Sequence, residues 1–191
     1  MKTYTFALLK EIPQNRETLK KFTRDDFAEI YLFFDYDGHS TLASDDKLVE
    51  MLEIFNEETN LGKLYISYPM VESVKHYSEK VDFKTIKVAA KENIKYKNLV
   101  SNEADKKYLQ FSKYTVEIWL NLIFAHLKKM NYIVTDDFNF PTQNCNQSMI
   151  FDNQRKKFIN IDYSISVLSG FTIFIYDYYG HEKFSEKFLI K

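Results

Sequence analysis

Cysteine, proline, glycine and tryptophan are scarce in this 191-residue chain, and each scarcity excludes something. The one cysteine, Cys145, has no second thiol to pair with, so no internal disulfide staples the fold, and a reducing compartment suits it. Three prolines and four glycines leave no flexible or proline-rich linker. Neither charge sign dominates: 26 Lys and Arg face 27 Asp and Glu, which removes a global basic surface and leaves only local patches for nucleic acid. Long apolar runs are missing too. Residues 165–176 hold about a dozen mostly apolar positions broken by Ser and Thr, against the ~20 that a membrane span needs. The first ten residues carry too short an apolar run for a signal peptide. A cytoplasmic protein with no membrane association is expected. No internal repeat, glycine-rich phosphate loop or zinc-like Cys/His spacing occurs.

What is abundant is apolar and aromatic. Hydrophobic residues make up 45% of the chain, with 17 Phe and 14 Tyr, enough to bury one sizeable core. Residues 30–34, Ile-Tyr-Leu-Phe-Phe, are unbroken by polar groups and rich in strand formers. Such a run predicts a strand buried on both faces, as in a parallel sheet. It runs straight into Asp35-Tyr36-Asp37-Gly38, which places two carboxylates one residue apart at the strand's carboxyl end. Alternate strand residues face the same way, so both acids can serve one site. Open α/β sheets take their ligands at such ends, and paired carboxylates suit Mg²⁺ or Mn²⁺. Asp-x-Asp-Gly is equally ordinary turn chemistry after a strand.

Elsewhere the pattern alternates between helix and strand. Phe6, Leu8, Leu9 and Ile12 open a short helical segment that stops near Pro13, and Leu19, Phe22 and Phe27 cover one face of a second helix. Ser44 is a good N-cap, with Asp45 and Asp46 in the first turn, where the helix dipole favours acids. Leu48, Met51, Leu52 and Phe55 follow at helical spacing, and Asn60-Leu61-Gly62 reads as the stop. Residues 63–68 form the next strand, ended by Pro69, so strand, helix and strand make one βαβ unit. A helix opening at Pro69 would put Glu72 near the same edge of the sheet as the Asp pair, with His76 a turn later on the surface. Residues 83–90 alternate like a third strand. Lys91, Lys95 and Lys97, with Tyr96 among them, form a small basic and aromatic stretch able to contact phosphates.

From about residue 100 the character changes. Residues 114–130 read as the strongest helix, with an apolar stripe of Val116, Trp119, Leu120, Ile123, Leu127 and Met130 and with His126 on its flank. Residues 149–158 predict another helix, and 162–179 one or two more around Gly170. The expected fold is therefore α/β: a partial parallel sheet with flanking helices over residues 1–100, followed by a mainly helical region, 101–191, packed on it.

Asp35-Tyr36-Asp37-Gly38-His39, the strand ending at Pro69 and the following Met70-Val71-Glu72 together resemble the second half of a Toprim domain. They are most similar to the OLD-type and RloB-like nuclease relatives of bacterial and phage-defence loci. The resemblance covers residues 28–80. It implies a metal-dependent nuclease in which Asp35 and Asp37 hold Mg²⁺ or Mn²⁺ and Glu72 completes the shell or positions water. Toprim domains carry a catalytic glutamate on an earlier strand. Here Glu11, Glu17 and Glu29 are the upstream candidates, and none follows an apolar strand. The resemblance thus implies a truncated remnant, a split protein that borrows the missing Toprim half, or a non-catalytic relative.

Two other classes compete. The aromatic-rich chain suits a non-enzymatic interaction module for a partner such as an ATPase or a second subunit. A haloacid-dehalogenase-type phosphatase also begins with strand-Asp-x-Asp-Gly, Asp35 then being nucleophile and Asp37 acid/base. That family places Thr directly after the Gly, whereas this chain has His39-Ser40-Thr41; residues 132–137 faintly resemble its later acidic motif.

Overall fold

A computed structural model describes residues 5–36, 44–90 and 95–188. The order is α1 (Thr5–Glu11), α2 (Pro13–Leu19), β1 (Tyr31–Asp35), α3 (Asp45–Ile54), β2 (Asn56–Glu57), β3 (Gly62–Ser67), β4 (Lys87–Ala89) and α4 (Tyr96–Glu103). Then come α5 (Val116–Thr135), α6 (Gln147–Gln154), α7 (Asn160–Asp162), β5 (Ser164–Ser166), α8 (Gly170–Tyr179) and α9 (His181–Phe188). Short 3₁₀ turns join several of these, and a π-helical stretch, Arg155–Ile159, links α6 to α7. The fold is mixed α/β with a helical carboxyl-terminal region, as expected.

The centre is β3. It pairs parallel with β1 on one side and antiparallel with β2 on the other, so the sheet order is β1-β3-β2. Leu64 and Ile66 are fully buried on one face of β3, and Tyr65 is buried on the other. Each such side chain contributes ~2–3 kcal/mol by leaving water. α8 covers the Tyr65 face through Phe174, and Phe151 of α6 with Leu127 and Met130 of α5 join Leu64 and Ile66 in one core. Elements from before and after residue 100 share this core.

The expected α3 is present, and Ser44 accepts the Lys47 backbone N–H at 3.3 Å as its N-cap. Ser44→Ala should cost about 1 kcal/mol in a denaturant titration. The helix stops at Ile54 rather than at Asn60-Leu61-Gly62, because Phe55 and the short β2 turn back onto β3; Gly62, at φ 116°, opens that strand instead. The stripe on the second helix is shorter than expected. α2 ends at Leu19, and Phe22 and Phe27 pack from a turn, with ring centroids 5.5 Å apart.

Other expectations are corrected by long-range pairing. Pro69, on a cis peptide bond, precedes a 3₁₀ turn at Val71–Lys75 and not an α-helix. Residues 83–90 form a 3₁₀ turn and the three-residue β4, which pairs with β5 in a separate two-stranded sheet and does not join the first. That pairing, with Lys87 opposite Ser166, draws residues 164–166 out of the expected helix, leaving α8 as the helical part. Among the described residues β1 itself is an edge strand. Phe33 is 49% exposed and Phe34 46%, so the strand is not buried on both faces.

Candidate functional site

The carboxyl ends of β1 and β3 lie side by side, with Asp35 in register with Ser67. The Tyr36 N–H donates to the Ser67 carbonyl at 2.9 Å, which continues the ladder one residue past Asp35. Tyr36 is buried, and its hydroxyl donates to Asp45 at 3.0 Å. This bond ties the strand end to the first turn of α3. Burial, then Asp45, pushes the Tyr36 phenol well above its ordinary range. The Ser67 hydroxyl accepts the Gly170 N–H at 3.2 Å, fixing the start of α8 beside the same edge. Asp35 is exposed and borders an open groove of about 420 Å³ walled by Phe33, Phe34, Val71, Phe111, Trp119 and Phe171. Phe111 and Trp119 lie nearly parallel, 5.8 Å apart, and the Lys75 ammonium sits 4.0 Å from the Phe111 ring centre.

Asp37 and Lys91 lie outside the described residues. Glu72 is the second residue of the 3₁₀ turn after Pro69 and does not line the groove. Its Oε1 meets Lys97 at 3.2 Å, while Oε2 is buried with no hydrogen-bond partner among the described residues. The pair is asymmetric: the Glu72 side chain is 18% exposed and that of Lys97 69%. Lys97 therefore neutralises an acid while its ammonium remains reachable from solvent. Lys95 is exposed at the start of α4. Among the described residues, no group of three or more His, Cys, Asp or Glu is placed to hold a metal ion. Asp35 offers hard carboxylate oxygens at the groove, the donor type that suits Mg²⁺ or Mn²⁺ better than a softer ion.

A second polar cluster lies under these elements and was not visible in the sequence. His76, expected on the surface, is 1% exposed. Its ring nitrogens meet the Tyr96 hydroxyl at 3.0 Å and Glu103 at 2.9 Å. Burial lowers the His76 pKa against the opposing pull of Glu103, whose carboxylate accepts the ring Nε2–H. His126, expected on the flank of α5, is fully buried and accepts the Ser169 N–H at 3.2 Å. One turn on, Lys129 is also fully buried; its amine donates to the Ile86 carbonyl and sits 4.4 Å from the Phe83 ring centre. Burial drives the Lys129 pKa well below the usual lysine value. At the other end of the stripe Val116 is 72% exposed, because the buried face of α5 is rotated towards Leu122, His126, Lys129 and Ile133.

Comparison with protein-family models, curated proteins and solved structures finds no match to this chain. No described helix is long and apolar enough to cross a membrane.

Proposed function

We propose that the chain is the metal-binding half of a Toprim-like phosphodiester-processing enzyme acting on nucleic acid, of the kind found in phage-defence loci. The observation that carries this reading is Asp35. It ends a strand that runs parallel to β3, and it borders an open groove beside Ser67. Strand ends of this kind are where α/β sheets take ligands. Asp35 and Asp37 would hold Mg²⁺ or Mn²⁺, which would polarise a phosphate and stabilise charge on the leaving oxygen. Lys97 offers a solvent-reachable cation to a phosphate, and release of its partner would free Glu72 to position water. Lys91 and Lys95 belong to the same basic stretch.

Two or three carboxylates leave much of an octahedral shell to water, substrate and further protein oxygens. Activity of this chain alone is therefore expected to be weak. Calorimetric titration with Mn²⁺ or Mg²⁺ should show binding to the wild type, weakened by roughly tenfold or more in Asp35→Ala/Asp37→Ala. Equal binding by both proteins, or none by the wild type, removes the metal-site reading. A second reading, protein–protein association, is favoured by the half-exposed aromatic side chains along β1.

A further inference from the structure

We infer that the groove beside Asp35 takes unpaired nucleotides, so that the polynucleotide this site acts on is single-stranded. The inference rests on the nucleic-acid reading above and narrows its substrate. Of the nine residues along the groove, five are aromatic: Phe33, Phe34, Phe111, Trp119 and Phe171. Phe33, Phe34 and Phe111 are each about half exposed. Aromatic rings left open to water along a groove are platforms on which successive bases stack, whatever their identity, because every base has a π-face.

The rings are held in place by their neighbours. Phe33 stacks on Tyr65 at 5.7 Å and meets Phe174 edge-on at 5.3 Å, which fixes it while half of it stays open. On the other wall Phe111 stacks on Trp119, and Trp119 packs on Phe171 at 5.7 Å. Side chains already ordered in this way lose little freedom when a base arrives, so more of the stacking energy shows as affinity.

Charge decides between a single strand and a duplex. A duplex hides its base faces in its own stack and presents phosphates, so holding one takes a broad cationic surface. The chain has 26 Lys and Arg against 27 Asp and Glu, and the cations at the groove are few. The Lys75 ammonium sits 4.0 Å from the Phe111 ring centre, and exposed Lys113 ends the short turn that Phe111 begins. Two ammoniums suffice for one or two phosphates of a strand whose bases stack, and fall well short of a duplex. Asp35 in the same wall argues against a protein occupant, because the cores of protein interfaces are depleted of charge.

Fluorescence anisotropy with labelled oligonucleotides of roughly ten residues tests this. The titration is run in EDTA, so a chain that binds no metal can still pass it and one that binds metal can still fail it. Unpaired DNA and RNA should each bind about tenfold or more tightly than the same sequence annealed to its complement. The logarithm of the binding constant should fall with that of the salt concentration at a slope of about −1, as one or two phosphate contacts dictate. Phe34→Ala should weaken binding about tenfold with the circular dichroism spectrum unchanged. Phe111→Ala, which removes the seat of Lys75, supplies a second variant if Phe34→Ala does not fold. Duplex binding as tight as that of the single strand overturns the inference, as does a single strand that neither substitution weakens. So does a wild type that binds no oligonucleotide, the result expected of a groove built for a protein partner.

Discussion

Gly170→Ala should destabilise the protein by about 3 kcal/mol, at the upper end of what an added methyl does in a packed core. Gly170 is the first residue of α8, and a Cβ built there would lie 2.7 Å from the Ile66 carbonyl oxygen and 2.8 Å from its carbonyl carbon. Both are backbone atoms of the central strand, whose neighbouring Ile66 N–H is held by Gln147 at 3.2 Å, so the strand cannot swing aside. The helix start would have to move instead. Moving it stretches the Gly170 N–H bond to Ser67 and lifts Phe171 and Phe174 off Phe33 and Tyr65. Alanine's better helix propensity returns at most about 1 kcal/mol. Urea titration checks this: a lower midpoint at unchanged slope is expected. Gly180→Ala is the useful contrast. Its Cβ would meet nothing within 4 Å, and only its φ of 71° argues for glycine there. A Gly170→Ala protein no less stable than Gly180→Ala would show that the α8–β3 approach is not tight.

The features legible in the sequence were local ones. Ser44 with Asp45 and Asp46 announces α3 because capping and the helix dipole act within one turn. α5 is legible because its period of 3.6 runs for 20 residues. The parallel β1–β3 pair followed from a strand–helix–strand order with little room for another topology. What was not legible depends on distant residues. Nothing in residues 30–34 says how many strands lie beyond them, so a run suited to an interior strand was assigned one and proved to be at the edge among the described residues. β4 and β5 are three residues each and exist through pairing across 75 to 79 positions, from Ala89–Ser164 outward to Lys87–Ser166, where propensity carries no information. At the candidate site, the position of Asp35 was legible. The Glu72–Lys97 ion pair was not, because it needs the turn after Pro69 to meet α4. Lys129 was hidden for another reason. Lys128-Lys129 looks like the solvent face of α5, and only the packing of Phe83 and Ile86 over that turn buries the second lysine.

Acidification should remove roughly 3 kcal/mol of stability by pH 4 through His126 alone. His126 is wholly buried, and burial, reinforced by the neighbouring Lys129, pushes its pKa down to about 3 from 6.5. The folded state therefore keeps the ring neutral while the unfolded chain takes up a proton below pH 6.5. Between those values the unfolded state binds more protons, so stability is complete above pH 6.5 and falls as the pH falls towards 3. Burial and the basic neighbours lower the His126 pKa, and the backbone of Val74 and Ser73 pulls it up more weakly. Lys129 lies one turn away with a lowered pKa, His76 adds a second lowered imidazole, and Phe83 packs edge-on at 4.9 Å. Ser169 donates to Nδ1, and Nε2 is without a hydrogen-bond partner among the described residues. Protonation would thus place a cation in a fully buried site beside Lys129 and His76, a cost that the Val74 and Ser73 backbone only partly offsets. His126→Gln keeps an acceptor for the Ser169 N–H and carries no titration. It should cost about 1–2 kcal/mol at pH 7 from imperfect packing, yet lose less than the wild type between pH 7 and pH 4, so the two stability curves converge or cross. Chemical denaturation at the two pH values decides it. Parallel curves for the two proteins would mean that His126 opens to solvent before it titrates and that the acid sensitivity lies with other groups.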